Sequence, residues 1–179
     1  EIFLIIFPEL KYLKRLEKLK KIKKYFISNN NHLLAILITD DSDNHEYFGY
    51  KFNISNNYKD ILKKFNACYK ILKKDKRFFK QDLYKNMYIY GKENMSFLLA
   101  LNFTENSKIL LSEFLNINKK IKNYKILKLP FDGKYLIENG VSQGVMVGQV
   151  LKKIEEEWIE NNFKISEDRV KEIVKLNTN

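Results

Sequence analysis

The sequence predicts an all-α fold, an irregular multi-helix array with no substantial sheet. Apolar residues recur at i, i+3, i+4 and i+7 along nearly the whole chain, the spacing that lays one apolar stripe along a helix of 3.6 residues per turn. Only Tyr124 to Pro130 alternates with the period of a strand. It ends on proline and has no alternating partner of adequate length, so it is expected to be an extended connector. With 45% hydrophobic and 14% aromatic residues, the 179-residue chain has the apolar mass for a real core despite 31% charge. That length allows one domain or two small helical ones.

Each element follows from local chemistry. Pro8 suits a first helical turn, and Tyr12, Leu13, Leu16, Leu19, Ile22, Phe26 and Ile27 then fall on one side, opposite Lys14, Lys18, Lys21 and Lys24. This amphipathic helix should end near the polar stop Ser28 to Asn31. Leu33 to Ile38 is expected to be a short buried helix, with a strand as the alternative, closed by the polar loop Asp40 to Asn44. Asn57 with Asp60 has the spacing of a capping box, and Tyr58, Ile61, Leu62, Phe65, Tyr69 and Leu72 continue the clearest stripe of the chain. Further helices are predicted at 76–90, stopped by Gly91, at 93–103, and at 107–121 starting from Ser107.

At residue 129 the texture changes, dividing the chain into a helical body, 1–128, and a helical tail, 129–179. Four of the six glycines, Gly133, Gly140, Gly144 and Gly148, lie in the tail. Gly140 can end a short helix, Lys134 to Asn139, in the left-handed conformation, and Gly144 and Gly148 can admit a close neighbour. Val147, Leu151, Ile154 and Trp158 share a stripe of the next helix, with Trp158 assigned to the core. A last helix should begin at Ser166, with Glu167 and Asp168 in its first turn.

The formal charge is +11, from 33 basic and 22 acidic residues. Thirty of the basic residues are lysines among frequent Asn and Ile, a mixture that general compositional drift also produces, so clustering is the informative signal. Residues 11–24 carry eight cations against Glu17, 59–80 carry nine against Asp60 and Asp75, and Lys119, Lys120, Lys122, Lys125, Lys128 and Lys134 oppose only Asp132. Such groups suit a phosphate backbone, because several cations on one face release many counterions together. They equally suit solvated helix faces. From Lys152 to Lys175 six cations meet seven acids, so the positive field is expected on the first three quarters of the chain.

Several function classes are excluded. The longest apolar runs, Ile2 to Phe7 and Leu33 to Ile38, are six residues each, against about 20 for a membrane span. The lone Cys68 cannot form an internal disulfide and reads as a small core hydrophobe. With only His32 and His45 there are too few ligands for a zinc cluster, so a cytoplasmic location is expected. The chain opens on Glu1 without an initiator methionine or basic leader and is expected to be the interior of a longer gene product. Asp41-Ser42-Asp43 has the spacing of a magnesium-binding carboxylate pair, but no phosphate loop accompanies it, and a solvated loop is expected. A self-sufficient hydrolase or transferase built on that loop is the weakest functional reading. Neither histidine has a serine or cysteine nucleophile motif beside it. In the tail, a helix starting at a glycine exposes backbone N–H groups to phosphate, and Lys134, Lys152 and Lys153 can add charge; close packing alone explains the same spacing.

The tail residues carry a resemblance. Leu129-Pro-Phe-Asp-Gly-Lys-Tyr-Leu-Ile137, then Gly140-Val141, Gly144 and Gly148, then Leu151-Lys-Lys-Ile-Glu-Glu-Glu-Trp-Ile159 and Phe163 resemble the C-terminal motif of the bacterial CCA-adding tRNA nucleotidyltransferases and poly(A) polymerases. Pro8-Glu9 with Leu13, Arg15 and Leu16, and Phe52 to Asn56, resemble further segments of the same C-terminal half, so the likeness spans 8–166. Asp132 stands where the family has serine, Tyr135 where it has aspartate, and Gln143 and Val145 where it has two prolines, which should loosen the turn.

The resemblance implies a helical body and tail that grip tRNA, or another structured RNA, through its backbone. A separate N-terminal catalytic head, of the same or a split gene product, would add nucleotides using Mg and CTP or ATP. The head's phosphate loop and metal pair, and the nucleotide-reading motif of the following neck, are not found here in context. No catalytic residue, metal ligand or cofactor is therefore assigned to this chain, which alone is expected to be inactive. The residues assigned to RNA are Lys134, Lys152 and Lys153 beside Gly133 and Gly144, followed by Arg15, Lys18 and Lys21. The alternative is a helical protein-interaction or structural module without RNA binding.

Overall fold

The computed structural model describes residues 5–10, 12–25 and 30–178. Among them the chain is all-α, with no strand. It divides into two compact units, Glu1–Tyr124 and Lys125–Asn179, a boundary four residues before the one expected. The connector after Tyr124 lacks regular structure to Asp132. No helix among the described residues is long and apolar enough to cross a membrane.

In the first unit a 3-10 turn, Pro8–Leu10, precedes α1, Arg15–Ile22, which is shorter than its stripe suggested. Its expected end at Phe26, Ile27 and the Ser28 stop lies outside the described residues, as does Lys11. Leu16 is exposed rather than in the stripe, and Arg15 is buried in its place. The short apolar helix follows as α2, Asn30–Ile38, and then α3, Asn44–Lys51, which was not foreseen. Helix α4, Asn56–Lys74, starts two residues earlier than the capping-box reading: Ser55 is the cap, its hydroxyl accepting from the Tyr58 N–H at 3.3 Å. Tyr58, Leu62, Phe65 and Tyr69 are buried on its inner side, as the stripe predicts.

The region 76–82 turns instead of forming the predicted helix, because the Asp75 carboxylate accepts from the Arg77 N–H at 2.8 Å and draws the chain out of helical geometry. Helix α5, Leu83–Glu105, follows. It is broken at Gly91, whose φ of 76° and ψ of 163° only glycine adopts freely. The Asn94 amide donates to the Tyr90 carbonyl at 2.7 Å and so satisfies an acceptor at the break. Beyond the kink, Met95, Phe97, Leu98, Leu99, Ala100, Leu101 and Phe103 are all buried, so this half is enclosed nearly all round. Helices α1, α2, α4 and the next helix pack on α5. That next helix, α6, Leu111–Asn123, starts four residues after Ser107 because the Asn106 side chain accepts from the Lys108 N–H at 3.0 Å and forms a turn first.

The second unit has three helices: α7, Gly133–Glu138, α8, Val145–Glu160, and α9, Glu167–Thr178. Its core joins Leu136 and Val141 to Val150 and Ile154 of α8 and to Val170, Ile173 and Val174 of α9. Trp158 is buried, edge-on to Phe163 at 5.0 Å. Gly140, at φ 95°, ends α7 in the left-handed region as expected. The Ser166 hydroxyl accepts from the Arg169 N–H at 3.3 Å before the first turn of α9.

Candidate nucleic-acid interface

The tail glycines shape a turn. Asp132 is the N-cap of α7, its carboxylate accepting from the Tyr135 N–H at 2.9 Å. A serine would do the same, so the substitution of aspartate for serine preserves the cap. Gly133 is the tight position: a Cβ there would lie 3.1 Å from Cγ1 of Val147 on α8. Gly144 and Gly148 do not admit a close neighbour, contrary to expectation, since a Cβ at either would meet nothing within 4 Å. Gly144 is needed instead for its backbone, at φ 116° before α8.

The three tail lysines assigned to RNA each have a local partner. The Lys134 ammonium is 3.9 Å from Glu138 and that of Lys152 is 3.9 Å from Glu156, both one turn along their own helix. Lys153 donates to the Asn177 side chain on α9. Arg169 pairs with Glu157 at 2.7 Å and with Glu172 at 2.9 Å, and Lys171 with Glu167 at 3.0 Å. Lys125–Asn179 contains nine basic and nine acidic residues, so this unit is formally neutral.

The first unit therefore carries all of the +11, with 24 basic against 13 acidic residues. Within it, the three assigned cations part company. Arg15 is a correction: its guanidinium is buried, donating to the Ile36 carbonyl, to the Thr39 carbonyl at 2.7 Å and to Glu105, so it faces the interior and not a phosphate outside. The Glu105 carboxylate also accepts from the Tyr69 hydroxyl. Lys18 is half-buried and Lys21 exposed on α1.

What the charge runs could not reveal is which of them meet. The Asn118 amide on α6 donates to the Tyr25 carbonyl just past α1, at 3.2 Å, and Lys92 at the α5 kink donates to the Lys122 carbonyl at 3.1 Å. Lys20, Lys21, Lys23 and Lys24 at and just past the end of α1, and Lys119, Lys120 and Lys122 at the end of α6, are exposed on the two segments that the Asn118–Tyr25 hydrogen bond links. Ion pairs in this unit engage Arg15, Lys51, Lys73 and Arg77 and, among the described residues, none of these seven lysines; the Lys24 ammonium lies 4.9 Å from the Tyr25 ring centroid. Each run was legible in the sequence; the single hydrogen bond across a separation of 93 residues was not.

The acidic loop is organised around itself. Asp40 accepts from the Ser42 N–H at 2.9 Å and from its hydroxyl at 2.6 Å. Asp41 pairs with Lys73 at 3.2 Å, and that hydrogen bond holds its carboxyl below the usual range. Among the described residues no group of three or more His, Cys, Asp or Glu is arranged to hold a metal ion. His32 is buried with Nε2 3.2 Å from Glu93, and burial pushes the imidazole pKa of His45 down. Cys68 lies in the core, its thiol pushed up by burial. Comparisons of the chain with protein families, with curated proteins and with solved structures return no match.

Proposed function

We infer that this chain holds structured RNA by its phosphate backbone. The observation that supports this most is the partition of charge: the whole +11 lies on Glu1–Tyr124, and seven exposed lysines, none in an ion pair among the described residues, lie on the ends of α1 and α6 that the Asn118–Tyr25 hydrogen bond links. Clustered ammonium groups bind polyanions chiefly by releasing counterions, which makes binding strong at low salt and indifferent to sequence. Recognition then rests on RNA shape. The resemblance of residues 129–163 to the CCA-adding and poly(A)-polymerase tail supplies the specific form of the reading. The chain is the C-terminal tRNA-binding portion of such a protein, positioning the tRNA 3′ end for nucleotide addition by a catalytic head that these residues do not include.

Filter binding of deacylated tRNA at low and high salt tests this. Salt-sensitive binding should be lost in the K21E/K24E/K119E/K120E variant and weakened in Lys134→Glu, whose side chain is exposed on α7. Absence of salt-sensitive binding by the unmutated chain would overturn the reading and favour a helical interaction module. Incorporation of CMP or AMP by the purified chain alone would overturn the division of labour with a separate head.

A further inference from the structure

We propose that a cavity in the first unit is a phosphate-binding site, distinct from the lysine cluster at the ends of α1 and α6. The cavity has a volume of about 770 Å³ and lies between the end of α4, the 75–80 turn, the end of α5 and the loop entering α6. That is the size of small-ligand sites, roughly 300–1,000 Å³.

Its charged groups do not cancel. Lys73, Lys76, Lys80 and Lys108 line it together with Asp75, Glu105 and Glu113. Lys73 is already paired with Asp41. The Asp75 carboxylate accepts from the Arg77 N–H and lies 3.8 Å from its guanidinium, and Glu105 is held by Arg15 and Tyr69. Three ammonium groups, on Lys76, Lys80 and Lys108, then face one unmatched carboxylate, Glu113. Lys76 and Lys80 lie beyond the last turn of α4, whose dipole Lys74 complements, and Lys108 lies beyond that of α5, which carries no basic residue in its last turn. Asn102, Asn106 and Ser107 add amide and hydroxyl donors at the wall. Asn106 accepts from the Lys108 N–H through its side-chain oxygen, so its remaining side-chain group is a donor. A wall of donors with an excess of cations suits the oxygens of a phosphate ester, while Leu72, Ile109 and Ile117 offer apolar surface to the carbon skeleton attached to it.

Such a phosphate could belong to a free phosphorylated metabolite or to a nucleic-acid backbone, and the experiment separates the two. Backbone amide spectra of the whole isotope-labelled chain are recorded during titration with ribose 5-phosphate. The expected result is saturable shifts confined to residues 75–80 and 105–109. Affinity should fall about tenfold or more in K76E/K80E/K108E and stay unchanged in K20E/K21E/K24E. Shifts that fail to saturate, or that spread equally over the lysines of α1 and α6, overturn the proposal. Should the triple variant fail to fold, the shift map of the unmutated chain and the Lys108→Gln affinity decide. Reversal of the shifts by added tRNA assigns the site to an RNA phosphate, and persistence assigns it to a free phosphorylated molecule; both support it. Because ribose 5-phosphate is read separately from tRNA filter binding, the cavity and the RNA-holding function can each fail without the other.

Discussion

Replacing Arg15 by methionine should cost the first unit a large part of its stability. The guanidinium is 4% exposed and is the donor for two buried carbonyls, those of Ile36 and Thr39, and for the Glu105 carboxylate. Methionine fills similar space but donates nothing. Each stranded carbonyl costs about 1–3 kcal/mol. Breaking a buried ion pair costs about 3–5 kcal/mol; this one is discounted, because the Glu105 side chain is 28% exposed and can turn towards water. Together these place the loss at about 4 kcal/mol, against a typical domain stability of about 5–15 kcal/mol. The double variant R15M/E105Q should recover part of it, since the unpaired charge is removed and the amide oxygen can still accept from the Tyr69 hydroxyl, while the two carbonyls stay unsatisfied. Urea unfolding followed by far-UV circular dichroism measures both. K18E/K21E, on the same helix, should unfold within about 0.5 kcal/mol of the unmutated chain while binding tRNA more weakly. If R15M unfolds within about 1 kcal/mol of the unmutated chain, or if R15M weakens RNA binding while remaining fully folded, the assignment of Arg15 to the core is wrong.

Three other perturbations follow from the same packing. Burial lowers the folded-state pKa of His45 below the usual 6.5, so the unfolded chain takes up the proton first as pH falls. Its contribution to stability is complete above about pH 6.5 and declines on acidification towards the folded pKa. His45→Gln should flatten the loss of stability as the pH falls below about 6.5, and an unchanged slope in urea titrations would contradict this. Cys68, buried with its thiol pushed up, should react with a disulfide reagent at least about a hundredfold more slowly in the folded chain than in urea; equal rates would place it at the surface. In the tail, Gly144→Ala should destabilise by about 1–3 kcal/mol because φ is 116° there. Gly148→Ala, inside α8 with open space around it, should stabilise by about 0.4–1 kcal/mol. Trp158, the chain's single tryptophan, lies in that unit and reports both by fluorescence during urea unfolding; effects of the same sign would refute the backbone argument.

Where a structural decision is local, this sequence already contains it. The α4 stripe from Tyr58 to Tyr69, the stop at Gly91, the left-handed Gly140 and the connector before Pro130 all depend on residues within a turn or two of one another. Even the misplaced helix starts have local causes, in the Asp75 and Asn106 side chains that turn the chain before 83 and 111. Charge runs were equally visible, including the balance of the last stretch.

Tertiary structure decided which cations remain available. Arg15 and Lys18 look alike in a basic run, yet one is buried because Ile36, Thr39 and Glu105 converge on it from 21 to 90 residues away, and the other stays near the surface. The segments that carry the lysines of 20–24 and of 119–122 are linked by a hydrogen bond between Asn118 and Tyr25, 93 residues apart. Helix periodicity is set by neighbours along the chain, whereas the partner of a charge is set by packing among segments remote in sequence. The pattern of amino acids therefore determined the helices, and only their assembly determined which charges face water.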